Sequence, residues 1–232
     1  MKPVLTAAFL ALFPLFAGGA ESSELNSFSL TVPGMLKPVP VWVAVPPSIG
    51  ITEKVPMILV LPPGSGTRDA VHRTYRRHWK EEAEKRRILV AIPEMHAVQL
   101  GRRARRVIPS MLGNLSRRYP LDKDRVVVAG ASNGGIGAAA FFLQDPERFR
   151  ALITLPGGPM RDMDVPRTVA HKPVFLAVGE NDREWLQATE ALRRYLEAAG
   201  ADVTYRVLPG QGHALSLPAE DLFGWIEKAW AR

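Results

Sequence analysis

The chain contains no cysteine. Disulfides are therefore excluded, and so is a lipid anchor attached to a cysteine after a leader. Stability must come from burial of apolar side chains. Long apolar runs are equally scarce. One stretch, Val4 to Phe16, is shorter than the ~20 residues a spanning helix needs, and Pro14 interrupts it. No second such run follows, which predicts a mature chain with no transmembrane span. The G-x-G-x-x-G and G-x-x-x-x-G-K-[ST] phosphate fingerprints are absent. Internal repeats, low-complexity tracts and interdomain linkers are missing too.

What is present reads as a globular protein: 232 residues, 47% hydrophobic and 23% charged. That length suits one well-buried domain. The first twenty residues stand apart. Lys2, the apolar Val4–Phe16 run and the small residues Ala17-Gly18-Gly19-Ala20 form the pattern of a secretory signal peptide. Cleavage near Ala20 is expected, leaving 21–232 as a single secreted or periplasmic domain; an uncleaved anchor is the alternative.

The net charge is +7. Basic residues gather in Arg73–Lys80, in Lys85-Arg86-Arg87 and in Arg102–Arg106. Such patches can attract an anionic surface or simply solvate helices. Val71, Tyr75, Trp79 and Ala83 recur every fourth residue and predict one buried helical stripe. With those aromatics core-facing, the first cluster lacks the exposed stacking rings of a nucleic-acid module, and no specific nucleic-acid partner is expected.

Strand and helix patterns alternate. Leu30–Val32 and Pro40–Pro46 read as an antiparallel opening pair. Apolar strands follow at Pro56–Leu61, Ile88–Ile92, Arg125–Ala129, Ala151–Leu155, Pro173–Val178 and Asp202–Leu208. Helices are expected near 68–85, 107–118, 135–144, 184–199 and 217–230, with Pro109 confined to a first turn or a kink. Alternation with short links predicts an α/β fold: a mostly parallel central sheet with helices on both faces. No link is long enough for a large lid, though 157–172 could form a small cap.

In such sheets ligands gather at the carboxyl ends of the strands. Three loops there carry chemistry. Gly130-Ala131-Ser132-Asn133-Gly134 fits G-x-S-x-G, a sharp strand-to-helix turn that exposes a serine; a glycine-rich phosphate turn is the alternative. Gly179-Glu180-Asn181-Asp182 follows a strand and offers two carboxylates, of which Asp182 is better placed; it could equally cap the next helix. Pro209-Gly210-Gln211-Gly212-His213 follows the last strand. Of five histidines, His96 is the one serious rival to His213. Ser132, Asp182 and His213 occur in the order Ser…Asp…His, one of the chain orders in which a nucleophile–acid–base set is found. Backbone N–H groups of Asn133 and of Ser65, in the Gly64-Ser65-Gly66 turn, are candidate oxyanion donors.

These residues resemble the α/β-hydrolase superfamily, and within it small secreted esterases of the feruloyl-esterase, polyhydroxybutyrate-depolymerase and dienelactone-hydrolase type. Tyr119–Val126 leading into the Gly130–Gly135 turn, and Asp145-Pro146-Glu147-Arg148-Phe149 leading into the next strand, are similar to that group. The resemblance implies a serine esterase acting through an acyl-enzyme, with no cofactor and no metal, on a small or polymer-linked ester. It departs at Pro63, where such enzymes often carry histidine, and dienelactone hydrolases proper use cysteine. A small peptidase, or a non-catalytic envelope-binding protein on the same scaffold, stays open. Arg102, Arg103, Arg105 and Arg106 follow a strand end and could reach the cleft rim; Trp185 and Met160 are candidate pocket walls.

Overall fold

A computed structural model describes residues 24–47, 53–161 and 164–232. The expected signal peptide, 1–20, lies outside the described residues. Among the described residues, no helix is long and apolar enough to cross a membrane.

The strands are β1 (Leu25–Leu30), β2 (Val39–Ala44), β3 (Val55–Leu61), β4 (Leu89–Pro93), β5 (Leu121–Gly130), β6 (Ala151–Thr154), β7 (Pro173–Gly179) and β8 (Asp202–Leu208). They form one sheet in the order β1-β2-β4-β3-β5-β6-β7-β8. The β1–β2 and β2–β4 pairs are antiparallel and the other pairs parallel.

Side-chain alternation sorts two cores. Met57, Leu59 and Leu61 of β3 and Val126 and Val128 of β5 face one layer; Ile58, Val60, Val127 and Ala129 face the other. The first layer is closed by α3 (Ala97–Gly101), α4 (Ala104–Arg118), α5 (Asn133–Gln144) and α6 (Arg183–Ala198). The second is closed by α1 (Arg68–Thr74), α2 (Lys80–Lys85) and α7 (Ala219–Trp230). Both faces of the inner strands are covered, which is why their sequences run apolar without alternation.

A π-helical turn, Tyr75–Trp79, joins α1 to α2. Val71, Tyr75, Trp79 and Ala83 are all buried in the second core. In an α-helix a four-residue spacing drifts about 40° per step around the axis. The wider turn, closed by i→i+5 bonds, takes up part of that drift and keeps the stripe on the sheet.

The structure differs from the sequence pattern in places. β1 lies at 25–30 rather than 30–32, because it is an edge strand with Asn26, Ser27 and Ser29 in solvent. β5 starts four residues earlier than expected, at Leu121, after a register shift opposite Val55–Met57. α4 starts at Ala104, so Pro109 lies in its second turn, where it withholds the N–H that would bond the Arg105 carbonyl. The stretch 157–172 holds, among its described residues, the short 3₁₀ turn Arg167–Val169.

His78, in the π turn, shares a small cavity with Leu155, Leu215 and Leu222. Burial, reinforced by the Arg77 charge, lowers its pKa from 6.5 to about 4. The unfolded chain therefore binds a proton that the folded chain refuses between those values. Stability conferred by neutral His78 is present above pH ~6.5 and lost as pH falls toward ~4, by up to about 3 kcal/mol. Urea midpoints at neutral and mildly acidic pH should fall more for the wild type than for His78→Gln; equal losses would contradict this.

Candidate active site

β5 enters the site at Gly130, and α5 begins at Asn133. Between them the chain reverses within two residues. Ser132 takes φ 57 and ψ −126, a conformation that L-residues rarely occupy and that costs ~1–3 kcal/mol. The turn is held by Ser132 N–H donating to Pro156 O at 2.8 Å and Gly134 N–H to Ala131 O at 2.8 Å. It closes only without side chains at its flanks: a Cβ on Gly130 would stand 2.1 Å from Gly134 O, and one on Gly134 would stand 2.1 Å from Leu61 O. The two glycines therefore let strand, helix and neighbouring strand meet. Beside Ser132 runs the loop after β3, folded by Gly66 N–H donating to Pro63 O at 3.2 Å. The Asn133 side chain donates Nδ2–H to Gly64 O at 3.3 Å and ties that loop to the start of α5. Among the described residues, neither the Ser65 nor the Asn133 backbone N–H is engaged in a hydrogen bond.

The second half of the site comes from β7 and β8. The loops after them are laced together: Glu180 N–H donates to Leu208 O at 3.0 Å and Asn181 N–H to Gln211 O at 2.8 Å. This lacing brings Asp182 Oδ2 to 2.7 Å from His213 Nδ1. Asp182 stands at the N-cap position of α6 but makes no side-chain cap bond, so its carboxylate faces the imidazole instead. Glu180, the alternative acid, accepts the Gly210 N–H at 2.8 Å and braces the histidine loop. The Asp182 side chain is 13% exposed and the His213 side chain 49%, so a sheltered acid holds an open imidazole. No hydrogen bond joins Ser132 Oγ to His213 in this structure. Among the described residues, no group of three or more histidines and carboxylates is placed to hold a metal ion.

No family model matches the chain, and no curated protein matches it. Solved structures do. The CE1 ferulic acid esterase AmCE1/Fae1A of Anaeromyces mucronatus superposes with a TM-score of 0.71 at 10% identity, covering 92% of this chain and 93% of its own. The S-formylglutathione hydrolase of Agrobacterium tumefaciens gives 0.68 at 15%, covering 92% and 98%. The dipeptidyl peptidase 4 of Porphyromonas gingivalis gives 0.66 at 14%, with 90% of this chain spanning 35% of that one. The chain has the α/β-hydrolase fold. Among several other matched structures it spans only 36 to 60% of the longer chain.

Two other histidines have distinct surroundings in this α/β-hydrolase scaffold. His72 packs edge-on against Trp42, its centroid 4.8 Å away. His96 begins α3, with its Nδ1 buried and unbonded, and lines a cavity described below. The Trp185 ring lies 5.3 Å from His213 and walls one side of it. Met160 lines the same cavity as His96. Sequence reading missed the Gln211 clasp. Its side chain accepts Ser216 N–H at 2.7 Å and donates to Ser216 O at 3.0 Å, fixing the loop that carries His213. Buried Leu215 anchors that loop in the second core. Glycine and serine neighbours in a loop carry no periodicity from which such a clasp could be read.

The strained Ser132 backbone makes a stability prediction. Ser132→Gly relieves the positive φ, whereas Ser132→Ala keeps it. Strain relief of ~1–3 kcal/mol exceeds the ~0.4–1 kcal/mol that glycine costs through the unfolded chain. Urea denaturation should find Ser132→Gly more stable than Ser132→Ala; the reverse order would contradict the strained elbow.

Proposed function

We propose that the chain is a serine hydrolase of carboxylic esters, exported after cleavage near Ala20. Ser132 Oγ attacks the ester carbonyl while His213 Nε2 takes its proton. Asp182 holds His213 Nδ1–H and stabilises the imidazolium. The Ser65 and Asn133 N–H groups receive the developing oxyanion. His213 then protonates the leaving alcohol. Water, deprotonated by the same imidazole, attacks the acyl-Ser132 ester and frees the acid. No cofactor or metal enters this scheme.

The observation that carries the proposal is the 2.7 Å Asp182–His213 bond, formed at the same end of the sheet as the half-buried, strained Ser132. The similarity of the scaffold to an esterase and to S-formylglutathione hydrolase points the same way. The mechanism requires His213 Nε2 to reach Ser132 Oγ, a contact that often stays long until substrate binds. The peptidase reading uses the same three residues and differs in the bond cleaved. A non-catalytic binding protein needs none of them.

Hydrolysis of 4-nitrophenyl acetate tests the proposal. Ser132→Ala should lower kcat by about 10⁴-fold or more. Asp182→Asn should lower it by about 10³–10⁴-fold, because the imidazole loses its orienting acceptor. Glu180→Gln retains an acceptor for Gly210 and should lose no more than a few-fold. Equal losses from Glu180→Gln and Asp182→Asn would contradict the assigned roles; a wild type inert toward short esters and peptides alike would favour the binding protein.

A further inference from the structure

Beside the second half of α5 lies a cavity of about 1110 Å³. Arg102, Arg103, Arg105, Arg106 and Arg161 line it, and among the described residues no carboxylate does. The first four stand exposed at the α3–α4 corner, and Arg161 follows Met160 in the chain. Ala140 of α5 and Met160 supply apolar lining.

Among the described residues, the guanidiniums have no acidic partner. Arg103 Nη1–H reaches the Gln99 carbonyl at 3.4 Å and Arg105 Nε–H the Gln144 side-chain oxygen at 2.7 Å, both neutral acceptors. Among the described residues, none of the five lies within 4 Å of a carboxylate. Elsewhere on the chain Arg125, Arg148, Arg193 and Arg206 all have acidic partners. Like charges facing one concavity repel. An arginine fork answers that repulsion best by pairing with a planar or tetrahedral oxyanion.

Two elements run from the candidate active site to the cavity. Gly66, next to Ser65, lies so close to Met95 and His96 that a Cβ would stand 2.1 Å from Met95 O. His96 then opens the cavity, where its Nδ1 is buried without a partner. α5, which begins beside Ser132, forms the opposite wall through Ala140 and Gln144.

We propose that this cavity receives an anionic part of the ester substrate, a carboxylate or phosphate group on its acyl or alcohol side. The proposal rests on the hydrolase reading above and narrows it to acidic esters.

Two measurements test it. In the first, Ser132→Ala is titrated calorimetrically with benzene-1,3,5-tricarboxylate. Binding should weaken at least ~10-fold in the added Arg102→Gln/Arg161→Gln variant and at high salt. Neither arginine has a hydrogen-bonded side-chain partner among the described residues, and unchanged thermal unfolding controls for folding. Inorganic phosphate, titrated in parallel, should bind more weakly; equal affinity would assign the cavity to a free anion and overturn the substrate role. In the second, active enzyme is given two matched pairs: 4-acetoxybenzoate against 4-acetoxybenzamide, and monomethyl against dimethyl adipate. At least one charged ester should show about 10-fold higher kcat/KM at low salt, and the arginine variant should erase that preference. Equal rates in both pairs, with no tricarboxylate binding, would overturn the cavity proposal while leaving the hydrolase standing. Binding intact with no ester turned over would instead overturn the hydrolase reading.

Discussion

Strand register sets where the chemistry can occur. Leu61 of β3 pairs opposite Gly130 of β5, and Gly179 of β7 opposite Leu208 of β8. Each pair ends level, so the loop after β3 emerges beside Ser132 and the loop after β7 beside His213. β6 lies between, its last residue Thr154 paired to both Gly130 and Leu176. Parallel pairing therefore delivers a hydroxyl, a carboxylate, an imidazole and two unbonded N–H groups to one edge of a rigid sheet. Were β5 to slip by one residue against β3, the elbow would shift and its valines would exchange cores. Dense packing on both faces opposes that slip, since Val127 and Val128 are wholly buried on opposite sides.

Rigidity is distributed unevenly around that edge. The serine half is built by close backbone contact, with the Gly134 Cα against Leu61 O and Ser132 bonded to Pro156. The histidine half is built by hydrogen bonds in exposed loops: the Gln211–Ser216 clasp within the loop after β8, and the Glu180–Gly210 brace between that loop and the one after β7. Ser132 is thus tightly held, and His213 stands on a more yielding support. In the proposed hydrolysis, that division lets the imidazole serve the attacking hydroxyl, the leaving group and water in turn. Further along α5, arginines that have no acidic partner among the described residues give a neighbouring cavity a positive field.

Much of the architecture was legible because burial writes itself into sequence. Runs such as Val126-Val127-Val128 and Val174-Phe175-Leu176 can only be inner strands, and Val71, Tyr75, Trp79 and Ala83 show their common stripe. β1 was misplaced because Asn26, Ser27 and Ser29 face solvent and leave no apolar pattern. The start of α4 was missed because Ala104 opens it amid arginines with no capping side chain. At the candidate site, the chain order of Ser132, Asp182 and His213 could be read directly. The choice between Glu180 and Asp182 could not be settled from spacing alone, since both follow β7; what separates them is which one the lacing turns toward the imidazole. The arginine cavity was half visible. Charge density around residue 102 was plain, but its concavity depends on how α3 and α4 meet α5 and Met160, which no local pattern encodes.

The account turns on Ser132 being an activated nucleophile. The direct measurement is covalent labelling by a fluorophosphonate, followed by intact mass and peptide mapping. One adduct per chain at Ser132 is expected, abolished in Ser132→Ala and strongly slowed in His213→Ala. An unmodified folded wild type, or an adduct on another residue that persists in Ser132→Ala, would contradict the account.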